Sequence, residues 1–353
     1  MVGGWPDTRF TELAGSEHPI IAAPMAGAAG VDLCAAATAG GALGSLPCGM
    51  LDPDQMREQV RQVRARVQGP LNLNFFCHDM PEESDDSAWR VLLAPYHAEF
   101  GVRPGGGGVM RLPFDEAMCE AVEEARPEVV SFHFGLPAEP LLARVKSAGS
   151  AVIGNATTVA EALWLEERGA DAVIAQGWEA GGHAGRFLGS DPAEAIGLFA
   201  LLPQVADRVK VPVIAAGGIG DGRGIAAAFT LGASAVQLGT AYLYCPESLI
   251  CAAHREALMG EPTLFTNLYS GGLARGVRGR LVDELGPIRD EVPPYPLASA
   301  ALAPIRSAAE TLGEFGFGPM WAGQGAPLGR PLPAAELTRA LAAEALAILG
   351  RAA

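Results

Sequence analysis

Short apolar runs bounded by glycine or proline recur eight times in the first two-thirds of this chain, with helically patterned segments between them. They occupy residues 20–25, 43–46, 71–76, 129–134, 151–155, 172–176, 211–218 and 235–240. Helical candidates at 53–67, 115–126, 138–148, 159–168 and 191–209 separate them. Such alternation is the signature of βα units, and eight of them predict an α/β fold, the (β/α)8 TIM barrel. An irregular segment then runs to about residue 333, followed by leucines and alanines at helical spacing over 334–353, the expected partner helix of strand eight. An open doubly wound sheet is the competitor, but its GxGxxG turn belongs after strand one. This chain has Pro24-Met25-Ala26-Gly27-Ala28-Ala29-Gly30 there. The expected organisation is a barrel over 1–244 and 331–353, with 245–330 as a helical or irregular cap over its mouth, because that segment is too long for one ordinary loop.

Composition excludes several function classes. A formal net charge of −15 argues against nucleic acid as a partner, since such binding normally shows a basic patch. Any phosphate would have to be held by backbone N–H groups and a local arginine. The six cysteines form no CxxC pair and have no histidine at zinc-finger spacing, so no metal site is expected and reduced buried thiols are. No basic segment leads into an apolar core near the N-terminus, and the apolar region 20–51 is broken by Pro24, Asp32 and glycines. The expectation is a cytoplasmic protein without a membrane span.

In a barrel, functional residues gather where strands end. Run one ends in Ala23-Pro24-Met25-Ala26-Gly27, which leaves room for a flat ring or simply makes a tight turn. Run three places Asn72 and Asn74 on one face, to be satisfied by a ligand, by neighbouring strands or by water. Run four sets Ser131 and His133 on one face with the phenylalanines opposite; a lone strand histidine is more often a satisfied core residue than a catalyst. Run six ends at Gln176 and opens the loop Gly177-Trp178-Glu179-Ala180-Gly181-Gly182-His183-Ala184-Gly185. Glycines there let a ligand approach the backbone closely, and His183 can carry proton chemistry. Glu179 either orients that histidine or caps the next helix. Runs seven and eight end in Gly217-Gly218-Ile219-Gly220 and Gln237-Leu238-Gly239-Thr240, the positions where many barrels cradle phosphate.

On these endings the chain resembles the nitronate monooxygenases, formerly 2-nitropropane dioxygenases, within a wider group of FMN-dependent barrels. The resemblance also includes Ser270-Gly271-Gly272-Leu273-Ala274-Arg275-Gly276 and Met320-Trp321-Ala322-Gly323-Gln324. It implies that FMN contacts Asn74, Gln176, Gly181, Gly182, Gly217, Gly218, Gln237, Leu238, Gly239 and Thr240, with Pro24 and Met25 beside the ring. It makes His183 the catalytic histidine and His133 a substrate-pocket histidine. One departure is visible: the family segment Ser-Gly-Arg-Pro-Ala-Arg-Gly has Gly272 and Leu273 in place of its Arg-Pro, which leaves Arg275 as the local cation.

The activity so implied is oxidation of alkyl nitronates, and of nitroalkanes where accepted, by FMN and O2 to carbonyl compounds and nitrite. His183 would act as base when neutral or hold the anion when protonated. Expected partners are a small-molecule nitronate and O2, with a homodimer as the candidate assembly. An FMN-dependent NAD(P)H reductase acting on enoyl thioesters or quinones is the alternative from the same group, and a non-catalytic flavin- or phosphate-binding barrel is a further one. A nucleotide dehydrogenase with a loop cysteine is excluded, because the loop after run six has none. The stretch 77–114, with Gly105-Gly106-Gly107-Gly108, and the cap are expected to set pocket size.

Overall fold

Eight parallel strands follow the eight apolar runs: β1 (Ile20–Ala22), β2 (Gly44–Pro47), β3 (Leu71–Phe76), β4 (Val129–His133), β5 (Ala151–Ala156), β6 (Ala172–Gln176), β7 (Val213–Ala216) and β8 (Ala235–Leu238). From β2 onward each pairs with the next, β8 pairs with β1, and a parallel bridge between Ile21 and Leu43 joins β1 to β2. The sheet thus curls into a nearly closed barrel. The computed structural model describes residues 4–81, 85–105, 110–189, 191–260 and 262–350. Most of the glycine quartet and the last three residues of the predicted C-terminal helix lie outside the described residues.

Period-two alternation sorts each strand into an inner and an outer face. Ile21, Leu43, Val129, Ile153, Ala172, Ile174, Ile214 and Ala235 form one buried cluster inside the barrel. Phe10 and Ala14 of the helix Arg9–Ala14 join it beside the first residues of β4, β6 and β8, so they stopper the N-terminal end. The alternate residues Leu73, Val130, Phe132, Val173, Ala175 and Val236 face outward into the helix layer. Inward positions nearest the C-terminal ends are therefore Asn74, His133, Asn155, Gln176, Ala216 and Gln237, most of them polar. The aliphatic lower barrel fixes the register, and the register delivers the polar groups.

Helix starts follow capping chemistry. Asp52 and Gln55 form a reciprocal capping box at the start of Pro53–Arg66, and Thr158 caps Val159–Glu167. The helix predicted over 191–209 is shorter: a 3-10 turn at Pro192–Glu194 precedes Leu198–Ala206. The Glu179 carboxylate accepts from the Leu198 N–H at 2.8 and 2.9 Å and sets that later start. Of its two expected roles, Glu179 takes the capping one.

Segment 245–330 holds the helices Ala252–Gly260, Arg280–Leu285 and Ala298–Thr311. It also holds a strand pair that the sequence reading lacks. Thr263–Thr266 and Ala274–Val277 run antiparallel, and Gly182–His183 adds a third strand to them. Within the stretch read as irregular, Ser87–Glu99 is helical despite Pro95, and its Trp89, Leu93 and Tyr96 share a buried cluster with Leu302 and Ile305 of Ala298–Thr311. The cysteines are free; Cys251 is exposed rather than buried, because it immediately precedes the helix Ala252–Gly260 at the surface. Among the described residues no helix is long and apolar enough to cross a membrane.

Candidate active site

A cavity of about 580 Å³ opens at the C-terminal ends of the strands. It gathers Pro24, Met25, Asn74, His133, Gln176, Gly181, Gly182, His183, Gly217, Gly218, Gln237, Gly239 and Thr240, candidates that the sequence distributes over six different loops and strand ends. Leu238 is the exception: its side chain packs outward in the helix-layer cluster. The period that brings Gln237 to the cavity turns Leu238 away from it.

The loop after β6 is tied down by Gln176. Its Oε1 accepts from Asn155 Nδ2 at 2.9 Å and from the Gly185 N–H at 2.8 Å, while Nε2 donates to the His183 carbonyl at 2.9 Å. One N–H of the amide remains for other partners. Gly185 must be glycine, because a Cβ there would overlap Asn155 Nδ2 and come within 2.6 Å of His133 Cε1. A Cβ on Gly181 would lie 2.5 Å from the Ala322 and Gly323 backbone. Most of this loop's small residues therefore make room for protein. Gly182, at φ +74°, has open space where a Cβ would stand.

His183 is held from two sides. Its backbone pairs with Ala274, and its Nε2 lies 2.8 Å from Ser270 Oγ. Nδ1 has no hydrogen-bond partner among the described residues. Tyr295, Trp321 and Phe134 surround the ring at centroid distances of 5.0, 5.5 and 6.1 Å. Burial, reinforced by Arg111, His133 and His78, holds the His183 pKa well below the ordinary value of 6.5. Burial also lowers His133, to about 4, against a smaller opposing effect of the His183 carbonyl. Both rings are neutral at pH 7.

Phe134 departs from the expected arrangement. Phe132 faces outward, but Phe134 lies past the strand end at φ +67°, a left-handed conformation that breaks the alternation. Its ring instead stands 4.5 Å from that of His133. Asn74 donates to Ser131 Oγ at 3.0 Å, which leaves its carbonyl oxygen at the cavity. Asn72 is buried lower down, donates to Ser45 Oγ, and has an Oδ1 without a partner.

At the expected phosphate cradle, Gly217 and Gly218 take consecutive positive φ values of +115° and +70°. The helix Gly222–Thr230 is already capped by the Asp221 carboxylate, which accepts from the Arg223 and Gly224 N–H groups. The short helix Thr240–Leu243 has no side-chain cap. Thr240 Oγ1 accepts from the Gly323 N–H at 2.9 Å, and the Gln324 N–H donates to Glu179 O, so segment 320–325 joins the loops after β6 and β8.

Three contributors escaped the sequence reading. Arg275, expected to be the local cation, is buried and donates to Trp178 O and Thr263 O, with its guanidinium over Phe265. Arg111 and Arg306 line the cavity, and Arg111 is the one close enough to act on His183. Ser270 carried a signal, since it starts the glycine segment, but Arg111 and Tyr295 lay in stretches with no readable geometry. Among the described residues no group of three or more His, Cys, Asp or Glu is placed to hold a metal.

A family model described as nitronate monooxygenase matches residues 7–344. The nitronate monooxygenase of Pseudomonas aeruginosa is 44% identical over 346 residues, covering 95% of this chain and 98% of its own. That of Paraburkholderia phytofirmans is 43% identical over 343 residues, covering 94% and 93%. Among solved structures, the nitroalkane oxidase of Streptomyces ansochromogenes matches with a TM-score of 0.89 and 37% identity over 98% of this chain and 99% of that one. FabK of Thermotoga maritima matches at 0.75 and 28%, over 98% and 97%.

Proposed function

This chain belongs to the nitronate monooxygenase family and is an oxidoreductase of that type; from that premise we propose that it oxidises alkyl nitronates, and nitroalkanes after deprotonation, with FMN and O2. The products are a carbonyl compound and nitrite.

The residues present fit FMN. A cavity of about 580 Å³ suits a small-molecule cofactor and substrate. The open face at Gly182, the Asn74 carbonyl oxygen, the spare Gln176 N–H and the Gln237 amide offer a flat ring both donors and acceptors. Pro24 and Met25 supply apolar contact. The Gly217-Gly218 turn, with Gly239 and Thr240 at the uncapped start of the short helix, suits the phosphate. Bound there, FMN supplies the oxidising ring that accepts the substrate's electrons and passes them to O2.

The protein's own part is proton transfer and positioning. The observation that carries this reading is His183 at the cavity, neutral and with Nδ1 unpartnered. A neutral imidazole removes the α-proton of a nitroalkane, and Nδ1 is the atom that receives it. Neutrality argues against His183 as the counter-charge for a nitronate. His133 lies beside it as a second neutral hydrogen-bonding group in the substrate pocket.

His183→Asn tests this reading. The variant should stay yellow with bound FMN and lose most nitrite production, more severely with nitroethane than with ethylnitronate. Undiminished turnover of nitroethane would sink the base assignment. Anaerobic mixing separates the reductase alternative, because bleaching by NAD(P)H rather than by ethylnitronate would favour that chemistry.

A further inference from the structure

A nitronate is an anion, and burial keeps the three histidines that line the cavity, His133, His183 and His254, neutral, so its counter-charge must come from another side chain. Arg306 lines the cavity too, but it is exposed and paired with Glu310 at 3.6 Å. Arg275 does not line it. Arg111 does, in a partly buried position, and among the described residues its side chain makes no ion pair and no hydrogen bond. Withdrawing a guanidinium from water without a partner is costly even when burial is partial, and such a group persists where an anion is to be bound.

Neighbouring groups share this lack of partners. The Tyr295 hydroxyl is buried without a hydrogen-bond partner, and so are both ring nitrogens of His78. The Tyr295 ring stands 5.0 Å from that of His183 and 4.7 Å from that of His78. Arg111 is close enough to influence the ionisation of all three. Unpartnered polar groups thus converge around a cation that no carboxylate pairs among the described residues.

We propose that Arg111 is the residue that recognises the substrate's negative charge, its guanidinium and the Tyr295 hydroxyl binding the two nitronate oxygens beside His183. The inference rests on the nitronate reading above. A guanidinium presents two parallel N–H donors in a plane, and a nitronate presents two oxygens on one planar nitrogen, the geometry that makes arginine–carboxylate pairs bidentate. Labour is then divided: Arg111 holds charge and His183 moves the proton. It also explains how a chain with a net charge of −15 admits an anion, since the local field at the site is set by an unopposed cation.

The test compares wild type, Arg111→Met and Arg111→Lys, each loaded with FMN. Steady-state kinetics are measured with ethylnitronate and nitroethane, and calorimetric titration with sodium nitrate reports a planar anion without turnover. Arg111→Met should raise KM for ethylnitronate and weaken nitrate binding by about 10- to 100-fold, the range of a charge-assisted hydrogen bond. KM for nitroethane should move less than about 3-fold, and Arg111→Lys should recover part of the loss, as a point charge lacking the fork. Equal KM changes for both substrates, or nitrate binding that is absent or alike in wild type and Arg111→Met, would overturn the proposal. Arg111-dependent nitrate binding in a protein that does not oxidise nitronates would instead sustain the anion site and remove the proposed function.

Discussion

The hydroxyl oxygen of Ser270 lies 2.8 Å from Nε2 of His183, across 87 residues of sequence. Ser270 is fully buried and precedes the strand Ala274–Val277, whose first residue pairs with the His183 backbone. One segment therefore fixes both the main chain and the ring of the histidine. With Nε2 engaged, Nδ1 is the ring atom left for chemistry, and in the tautomer whose Nε2–H donates to Ser270 Oγ, Nδ1 is the nitrogen free to accept a proton. Ser270 is a positioning residue.

Ser270→Ala should separate positioning from binding. Losing one hydrogen bond of this kind is worth about 1 kcal/mol, so kcat with nitroethane should fall about 5- to 10-fold at unchanged KM. The acid limb of its pH profile should shift as well, because the ring's tautomer is no longer fixed. Turnover of ethylnitronate, which needs no proton removed, should change little. Equal losses with both substrates would refute a role confined to His183.

The barrel was legible because its strands are short, apolar and punctuated by glycine and proline, and β3 and β6 match the predicted bounds. Site residues on strand ends were legible for the same reason: position on a strand fixes direction, so His133 and Gln176 could be aimed inward from spacing alone. Arg111, Ser270 and Tyr295 could not. They reach His183 from segments 77–114 and 245–330, whose courses depend on contacts between distant stretches, such as Trp89 and Leu93 against Leu302 and Ile305. The strand pair Thr263–Thr266 and Ala274–Val277 was invisible because four residues, in the second strand with a glycine inside, carry too little pattern. Phe134 was misread because a positive φ just past the strand breaks the alternation on which the reading relied.

His254, a buried histidine on the cavity wall to which the proposed chemistry assigns no step, should make the fold acid-sensitive. His254 is 7% exposed, and burial lowers its pKa from 6.5 to about 4, with a smaller upward effect from the Trp321 backbone. Its unfolded form takes up a proton below about pH 6.5 while the folded form resists until about pH 4. Stability is therefore complete above pH 6.5 and declines as pH falls toward the folded value. Between pH 6.5 and 5 this one group costs about 2 kcal/mol. Thermal melts of wild type and His254→Leu across that range should show a shallower decline in the variant. Parallel declines would mean that other groups govern acid sensitivity.

Gln176 tests whether the loop after β6 is organised by the protein or by its ligand. Its amide joins Asn155, the Gly185 N–H and the His183 carbonyl, so Gln176→Leu leaves three polar partners facing a methyl-terminated chain. A stranded buried group costs about 1–3 kcal/mol, and together these should lower the melting temperature of the FMN-free protein by several degrees. Gln176→Glu keeps both acceptor contacts but turns a carboxylate toward the His183 carbonyl, so its melting temperature should lie between those of wild type and Gln176→Leu. FMN affinity should follow the same order, because the cavity wall at Gly181 and Gly182 depends on the loop's course. The apoprotein measurement decides the matter. If Gln176→Leu melts like wild type without FMN and yet binds FMN weakly, the amide acts on the ligand directly and the loop holds its shape by other contacts, foremost the pairing of Gly182 and His183 with Ala274 and Arg275.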